Sequence, residues 1–156
     1  VSVLLVLAGV FSKRSYDRRE EVKWSKVPCI HLARAIDQYS DEFDIPKRYA
    51  YGIAYEETGY KGIRHKEYKH QQISSVGAKG PMQVMPLTAK WMNGKLPNDS
   101  MLFDIDYNVR TSMKLLRHLK NTYGSWEVAF GAYNTGKPLV NQYALNVQNF
   151  DYSKHK

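Results

Sequence analysis

Apolar residues recur at intervals of three and four along most of the chain, a period typical of helices that bury one face. The first such run predicts a helix and consists of Ile30, Ala33, Ile36, Tyr39 and Phe43. No segment shows the sustained alternation of apolar and polar residues that predicts a half-buried strand. The pattern therefore predicts a mainly α-helical fold.

Capping residues predict where the later helices begin and end. Asp44 is the predicted N-cap of a second helix with Pro46 in its first turn, where the missing N–H of proline costs nothing. Gly59 is the predicted stop of that helix. Three further helices are predicted from the same signals: one over 87–92, one capped by Asp104 or Asp106, and one that runs from Ser125 to Gly136.

The first residues of the chain, 1–11, are almost wholly apolar. They are too few to span a bilayer, which takes about 20 residues, so they fit the end of an anchor or signal sequence, or a segment packed on a partner. A charged connector follows as far as Pro28. We therefore divide the chain into 1–28, the apolar segment and its connector, and a single domain over 29–156. A membrane contact through 1–11 is one expectation of this division.

The net charge of +8 suits a polyanionic partner, such as nucleic acid, an anionic membrane or an acidic cell-wall polymer. No aromatic-basic RNA motif and no recognition helix occurs, so a nucleic-acid partner is not predicted. Cys29 is the only cysteine, which excludes an intrachain disulfide. His65 and His70 flank Glu67 at a spacing that matches no metal motif, so no metal site is predicted.

Two adjacent carboxylates, Glu56 and Glu57, end the second predicted helix after an apolar run. Ile53 belongs to two apolar stripes, one of which leads to each glutamate, so periodicity leaves the choice open. A carboxyl at the edge of an apolar face has a raised pKa, as a general acid requires. An isolated glutamate pair at a helix end is more often simply solvated.

Four motifs occur in order along the chain, and together they resemble the catalytic domain of the soluble lytic transglycosylases. They are Glu57-Thr58, SSVGAKGPMQVMPLTA over 74–89, LFDIDYNVRTSMKLL over 102–116 and YGSWEVAFGAYNTG over 123–136. The resemblance covers roughly residues 30–145. The chain departs from the family pattern at five positions. Thr58 stands in place of serine, Pro81 in place of leucine, Ile105 in place of proline, Ser112 in place of glycine and Leu115 in place of tyrosine.

The resemblance implies a single domain with the fold of goose-type lysozyme. It also implies cleavage of the β-1,4 bond between N-acetylmuramic acid and N-acetylglucosamine without water, which leaves 1,6-anhydro ends and opens the bacterial cell wall locally. Glu57 is the implied catalytic acid and base, Glu56 has no chemical role, and no metal or cofactor is needed. Tyr133 would orient the carboxylate or the substrate acetamido group. The implied substrate-binding residues are Ser74, Gly77, Gly80, Gln83, Met85, Tyr133 and Asn134.

Two alternatives remain open at this point. A goose-type lysozyme-like hydrolase would use water and usually a second carboxylate. A catalytically inactive, basic glycan-binding protein would lose no function when Glu57 is removed. The expected partner in all three cases is the peptidoglycan glycan strand. The expected place of action is the cell envelope or periplasm, or a virion, with a phage particle or a secretion apparatus as a further partner.

Overall fold

The computed structural model describes residues 26–155, so the predictions for the apolar segment and nearly all of its connector lie outside the described residues. None of the helices within 26–155 is long and apolar enough to cross a bilayer. Seven α-helices and a final 3₁₀ turn, Tyr152–His155, form this part of the chain. The helices are α1 Pro28–Glu42, α2 Lys47–Thr58, α3 Pro86–Asn93, α4 Asp99–Phe103, α5 Ile105–Tyr123, α6 Trp126–Thr135 and α7 Gln142–Gln148.

The prediction of a mainly α-helical domain is confirmed, and most of its capping signals hold. The Asp104 carboxylate accepts a hydrogen bond of 2.7 Å from the backbone N–H of Tyr107 at the start of α5. Ser125 caps α6, and Gly59 ends α2 with a φ of +69°. Of the two aspartates proposed as the cap of α5, Asp104 is therefore the one that serves.

The predicted N-cap at Asp44 is wrong. Pro46 holds the N-cap position of α2, without a side-chain capping bond. Asp44 instead has a φ of +52° in the turn after α1. Arg117 of α5 donates hydrogen bonds to the backbone carbonyl oxygens of Phe43 and Asp44. This contact from a distant helix stabilises the end of α1, and a local capping rule does not include it.

The second helix, α2, lies at the centre of the domain. All residues of 49–54 are buried, so the middle of this helix has no solvent-facing side. Helix α1 packs against it on one side, and α7 packs against it on another. The largest buried side chains of the core include Leu32, Ile36 and Phe130, each of which is fully inaccessible. A helix that is buried all round is expected in the core of a domain, and Glu57 lies where it emerges.

A basic loop over 61–73 follows α2 on the way to α3, and aromatic side chains attach it to the core. Tyr60 and Tyr68 are buried, and their ring centroids lie 5.0 Å apart in an edge-to-face contact. The Tyr60 hydroxyl donates a hydrogen bond to the Cys29 carbonyl oxygen. Four basic residues of the loop are exposed: Lys61, Arg64, Lys66 and Lys69.

Candidate active site

Glu57 lies in the last turn of α2, half-buried, with one carboxylate oxygen already bound. The Tyr143 hydroxyl donates a hydrogen bond of 2.7 Å to its Oε1. Burial raises the pKa of Glu57 to about 7, against the lowering effect of the Tyr143 hydrogen bond, and the charge of Glu56 raises it further. A carboxyl with this pKa can hold a proton at neutral pH and release it again. Those are the requirements of a general acid that later acts as a base.

Glu56 points to a different side of α2, because successive helical residues are rotated by about 100°. Its Oε2 accepts a hydrogen bond of 3.1 Å from the Asn146 side chain. It also borders a separate hollow with Tyr55, Leu145 and Phe150, outside the Glu57 environment. The two glutamates therefore have different surroundings, and the structure gives the buried, tyrosine-bound position to Glu57.

Two tyrosines accompany Glu57, and the sequence indicated only one of them. The Tyr133 hydroxyl donates to the Met82 carbonyl oxygen at 2.7 Å, and the Ser112 hydroxyl lies 2.7 Å from it. The hydrogen bond to the carboxylate that was predicted as one role of Tyr133 is made by Tyr143 instead. Burial, followed by the negative charge of Glu57, raises the pKa of both tyrosines, so both remain neutral hydroxyl donors.

Tyr143 was missed because it lies beyond the last motif, in a helix that the periodicity did not predict. Helix α7 spans seven residues, too few to show a clear apolar stripe. A local signal for it does exist. The Asn141 side chain accepts a hydrogen bond from the Ala144 N–H, and asparagine is a favoured N-cap. A capping search beyond Gly136 would have found this helix.

Asn108 of α5 holds the loop that carries most of the predicted substrate residues. Its side-chain Nδ2 donates to the carbonyl oxygens of Lys79 and Leu102, both at 2.8 Å. Its Oδ1 accepts from the N–H of Met82 at 2.9 Å. The side chain is fully buried, so each of these bonds replaces water that cannot enter. Asn108 therefore fixes the loop position relative to α5.

Gly80 has a packing role that the sequence did not suggest. Its φ is +80°, and a Cβ there would lie 2.4 Å from Asn108 Nδ2 and 2.5 Å from the Leu102 carbonyl oxygen. The space beside Gly80 is thus filled by Asn108 and the Leu102 carbonyl group, and the contact of Gly80 with substrate stays a prediction. Gly77 differs, since a Cβ at that position would have no atom of a non-adjacent residue within 4 Å.

The polar groups of Ser74 and Gln83 support the same loop. The Ser74 hydroxyl oxygen accepts a hydrogen bond of 3.0 Å from the Ala78 N–H. Gln83, with a φ of +52°, donates from Nε2 to the carbonyl oxygens of Gly80 and Gln72. The predicted substrate contacts of these two residues would therefore use the Gln83 amide oxygen and the Ser74 hydroxyl proton.

Thr58 connects the end of α2 to this loop. Its hydroxyl lies 2.9 Å from the Pro81 carbonyl oxygen and 2.7 Å from the Tyr68 hydroxyl. A hydroxyl at this position, which serine usually supplies in the family pattern, thus positions the residue next to Glu57 against the loop.

Met85, Tyr133 and Asn134 all border one groove of about 450 Å³.

The acidic residues of the third motif, which could have supplied a second catalytic carboxylate, are engaged elsewhere. Asp104 caps α5. Asp106 accepts a hydrogen bond of 2.7 Å from His31 and one of 3.2 Å from the Tyr39 hydroxyl. Within residues 26–155, no group of three or more His, Cys, Asp or Glu side chains lies close enough to hold a metal ion. Glu57 is the acidic residue whose carboxyl group Tyr143 binds, and its role as the reactive group stays a prediction.

Comparisons with known proteins show what the chain is similar to in sequence and fold. The family model of the transglycosylase SLT domain matches residues 34–156. The chain is similar to the 70-kDa soluble lytic transglycosylase in complex with bulgecin A, at 25% identity and a TM-score of 0.57, over 74% of this chain and 18% of that chain.

Two further solved structures are similar in fold. An inactive mutant of the lytic transglycosylase Slt from Pseudomonas aeruginosa is 20% identical, with a TM-score of 0.56, over 78% of this chain and 21% of that one. The 70-kDa soluble lytic transglycosylase of Escherichia coli is 24% identical, with a TM-score of 0.56, over 78% and 20%. The chain thus spans about a fifth of the length of these proteins.

Proposed function

Since the chain belongs to the transglycosylase SLT domain family, we propose that it cleaves the β-1,4 bond between N-acetylmuramic acid and N-acetylglucosamine in peptidoglycan without using water. The observation that carries this proposal is the Glu57 carboxyl. It is half-buried at the end of a core helix, has a pKa of about 7 and is oriented by the Tyr143 hydroxyl.

The proposed reaction uses Glu57 twice. Protonated Glu57 gives its proton to the glycosidic oxygen as the bond from that oxygen to C1 of the muramyl residue breaks. The carboxylate then takes the proton of the muramyl C6 hydroxyl while that oxygen forms a bond to C1. The product is a 1,6-anhydro ring, and Glu57 is protonated again. Acid-base catalysis of this kind contributes about 10²–10⁴-fold in rate.

Tyr143 and the substrate supply the remaining requirements. Because Tyr143 binds Oε1 of Glu57, Oε2 is the oxygen that would face the glycosidic bond. The positive charge that develops at C1 would be stabilised by the substrate's own N-acetyl oxygen, held in the groove by contacts such as those proposed for Gln83 and Asn134. Met85 would pack on a sugar face, and Gly77 would leave space for the strand.

The engagement of Asp104 and Asp106 supports transglycosylation over hydrolysis. Retaining glycosidases hold a second carboxyl group about 5–5.5 Å from the first, and inverting ones about 6.5–9.5 Å. Here those two aspartates cap α5 and pair with His31. In the described part of the chain these two aspartates are therefore not available to activate water, and the tethered C6 hydroxyl has the advantage of effective concentration.

The proposed partner is the peptidoglycan glycan strand, which places the activity at the cell envelope, in the periplasm or on a virion. The exposed basic side chains of the 61–73 loop would add attraction to the anionic polymers of the wall. A phage particle or secretion apparatus that opens the wall locally would use the same reaction. A membrane contact through residues 1–11 would hold the domain near its substrate.

Tyr143→Phe tests the assignment through the pH profile. The Tyr143 hydrogen bond stabilises the ionised carboxylate and lowers the pKa of Glu57, so its loss should raise that pKa above about 7. The first step needs protonated Glu57, and kcat/KM therefore falls as pH rises through this pKa. We expect the falling limb of the variant at higher pH than that of the wild type.

Tyr133→Phe is the matched control for this experiment. It removes a hydroxyl from the same cluster, but that hydroxyl binds the Met82 carbonyl oxygen and Ser112 rather than Glu57. Its falling limb should stay close to that of the wild type. If the falling limb of the Tyr143→Phe profile stays at the wild-type pH, or moves to lower pH, the result would contradict the roles given to Tyr143 and Glu57.

A further inference from the structure

A largely apolar groove runs along α5. Its lining includes Met85 and Tyr133, and the charge of Glu57 acts on Tyr133. The lining also includes Trp91 of α3 and Tyr123, the last residue of α5. The residues of α5 that line it are Leu115, Leu119 and Tyr123, which span roughly 12 Å along the helix at 1.5 Å per residue. The groove is therefore longer than a single sugar ring.

Trp91 is exposed although it is the largest apolar side chain of its helix. Its exposed fraction is 60%, and the only buried residue of α3 is Ala89. The indole is held in place by His118 of α5, with ring centroids 4.9 Å apart and planes at 86°. An exposed tryptophan on a groove wall is not explained by core packing, and exposed apolar patches of this kind commonly bind a ligand.

The chemistry of the groove favours an uncharged ligand. None of the side chains that line it within the described part of the chain is charged, although the protein carries a net charge of +8. The lining combines apolar and aromatic surface with the polar groups of Thr88, Asn134 and Thr135. A pyranose ring has a flat apolar face and a polar rim, and such a lining complements both.

We propose that Trp91 stacks on a sugar ring of the glycan strand distant from the scissile bond, and so selects for strands long enough to reach it. This inference rests on the proposed function, because Tyr133, which lines the groove, lies close enough to Glu57 for the charge of that carboxyl group to act on it. A second copy of the chain and an acidic polymer are the competing occupants. The uncharged lining disfavours the polymer.

The test compares Trp91→Ala, Trp91→Phe and Leu87→Ala, all made in the Glu57→Gln protein so that ligands are not cleaved. Leu87 is the matched control, since it lies on α3, is 72% exposed and does not line the groove. Affinities are measured by calorimetry for an uncross-linked peptidoglycan octasaccharide and for the disaccharide. Trp91→Ala should weaken octasaccharide binding roughly tenfold, the size of one aromatic contact.

The remaining variants and the disaccharide distinguish a sugar ring in the groove from the other possible occupants. Trp91→Phe should restore most of the octasaccharide affinity, Leu87→Ala should match the parent protein, and the disaccharide should bind all variants alike. Equal octasaccharide affinities for Trp91→Ala and the parent, or an equal loss for both ligands, would overturn the inference. So would a parent protein that sediments as a dimer and becomes monomeric on Trp91→Ala, because a second copy would then occupy the groove.

Failure of the proposed function gives a different result. In that case the wild-type protein leaves peptidoglycan uncleaved, whatever the calorimetry shows. Length-dependent binding through Trp91 without cleavage would support a saccharide groove in an inactive protein. Cleavage without length-dependent binding would support the proposed enzymatic function and exclude the proposed role of Trp91.

Discussion

Glu57→Gln is expected to abolish cleavage of purified peptidoglycan while the circular dichroism spectrum stays unchanged. The amide is nearly isosteric with the carboxyl group and still accepts the Tyr143 hydrogen bond through its oxygen. It cannot donate the acid proton or take up the proton of the C6 hydroxyl. We expect a rate loss of at least about 10²–10⁴-fold, the usual contribution of a general acid-base group. Release of soluble muropeptides measures it.

Glu56→Gln is the matched control and should keep most of the activity, because Glu56 contacts Asn146 on another side of α2. Loss of activity in Glu56→Gln with activity retained in Glu57→Gln would reverse the assignment.

The same Glu57 variant should also change stability with pH. The folded-state pKa of Glu57 is about 7, above its ordinary value of 4.5, so the folded protein binds more protons between these values. Wild-type stability is therefore lost as pH rises through this window. Glu57→Gln removes that loss and should melt at a higher temperature than the wild type at pH 8. A lower melting temperature there would contradict the desolvated position of the carboxyl group.

The second large effect is expected for Asn108→Leu, which should strongly destabilise the domain. The change keeps the side-chain volume but leaves the Leu102 carbonyl oxygen and the Met82 N–H unpaired, while the Lys79 carbonyl oxygen keeps its hydrogen bond from the Val84 N–H. Each buried group left unpaired costs about 1–3 kcal/mol, so the free energy of unfolding should fall by roughly 2–6 kcal/mol. Urea denaturation measures this change.

Asn93→Leu provides the comparison, since Asn93 also donates two side-chain hydrogen bonds, to Thr111 and Tyr107, but is exposed. The loss of unfolding free energy in Asn93→Leu should be small, because water can replace those bonds. An Asn108→Leu protein no less stable than Asn93→Leu would show that the loop does not depend on this side chain.

Local rules predicted the parts of the fold that local forces determine. Ser125 and Gly136 bound α6 as expected, because a capping hydroxyl and a left-handed glycine act within one turn. Asp44 failed as a cap because Arg117, which is distant in sequence, organises that turn. Helices α4 and α7 have five and seven residues and are too short to show an apolar period.

The residues of the candidate site could be predicted only where they belong to a sequence motif. Periodicity could not choose between Glu56 and Glu57, since α2 is buried on all sides before them and both stripes are apolar. Tyr143 reaches Glu57 across 86 residues, and no local pattern contains that contact. Gly80 was correctly singled out as special, but its reason lies in Asn108, a partner that only the folded chain brings to it.

Mass spectrometry of the products from purified peptidoglycan tests the central claim most directly. Within residues 26–155, the structure places the Glu57 carboxyl group at the site and engages Asp104 and Asp106 elsewhere. We therefore expect muropeptides that end in 1,6-anhydro-N-acetylmuramic acid, each lighter by one water than the corresponding lysozyme product. A digest that contains only reducing-end N-acetylmuramic acid would contradict this mechanism, because it would show that water, activated by a second base, attacks C1.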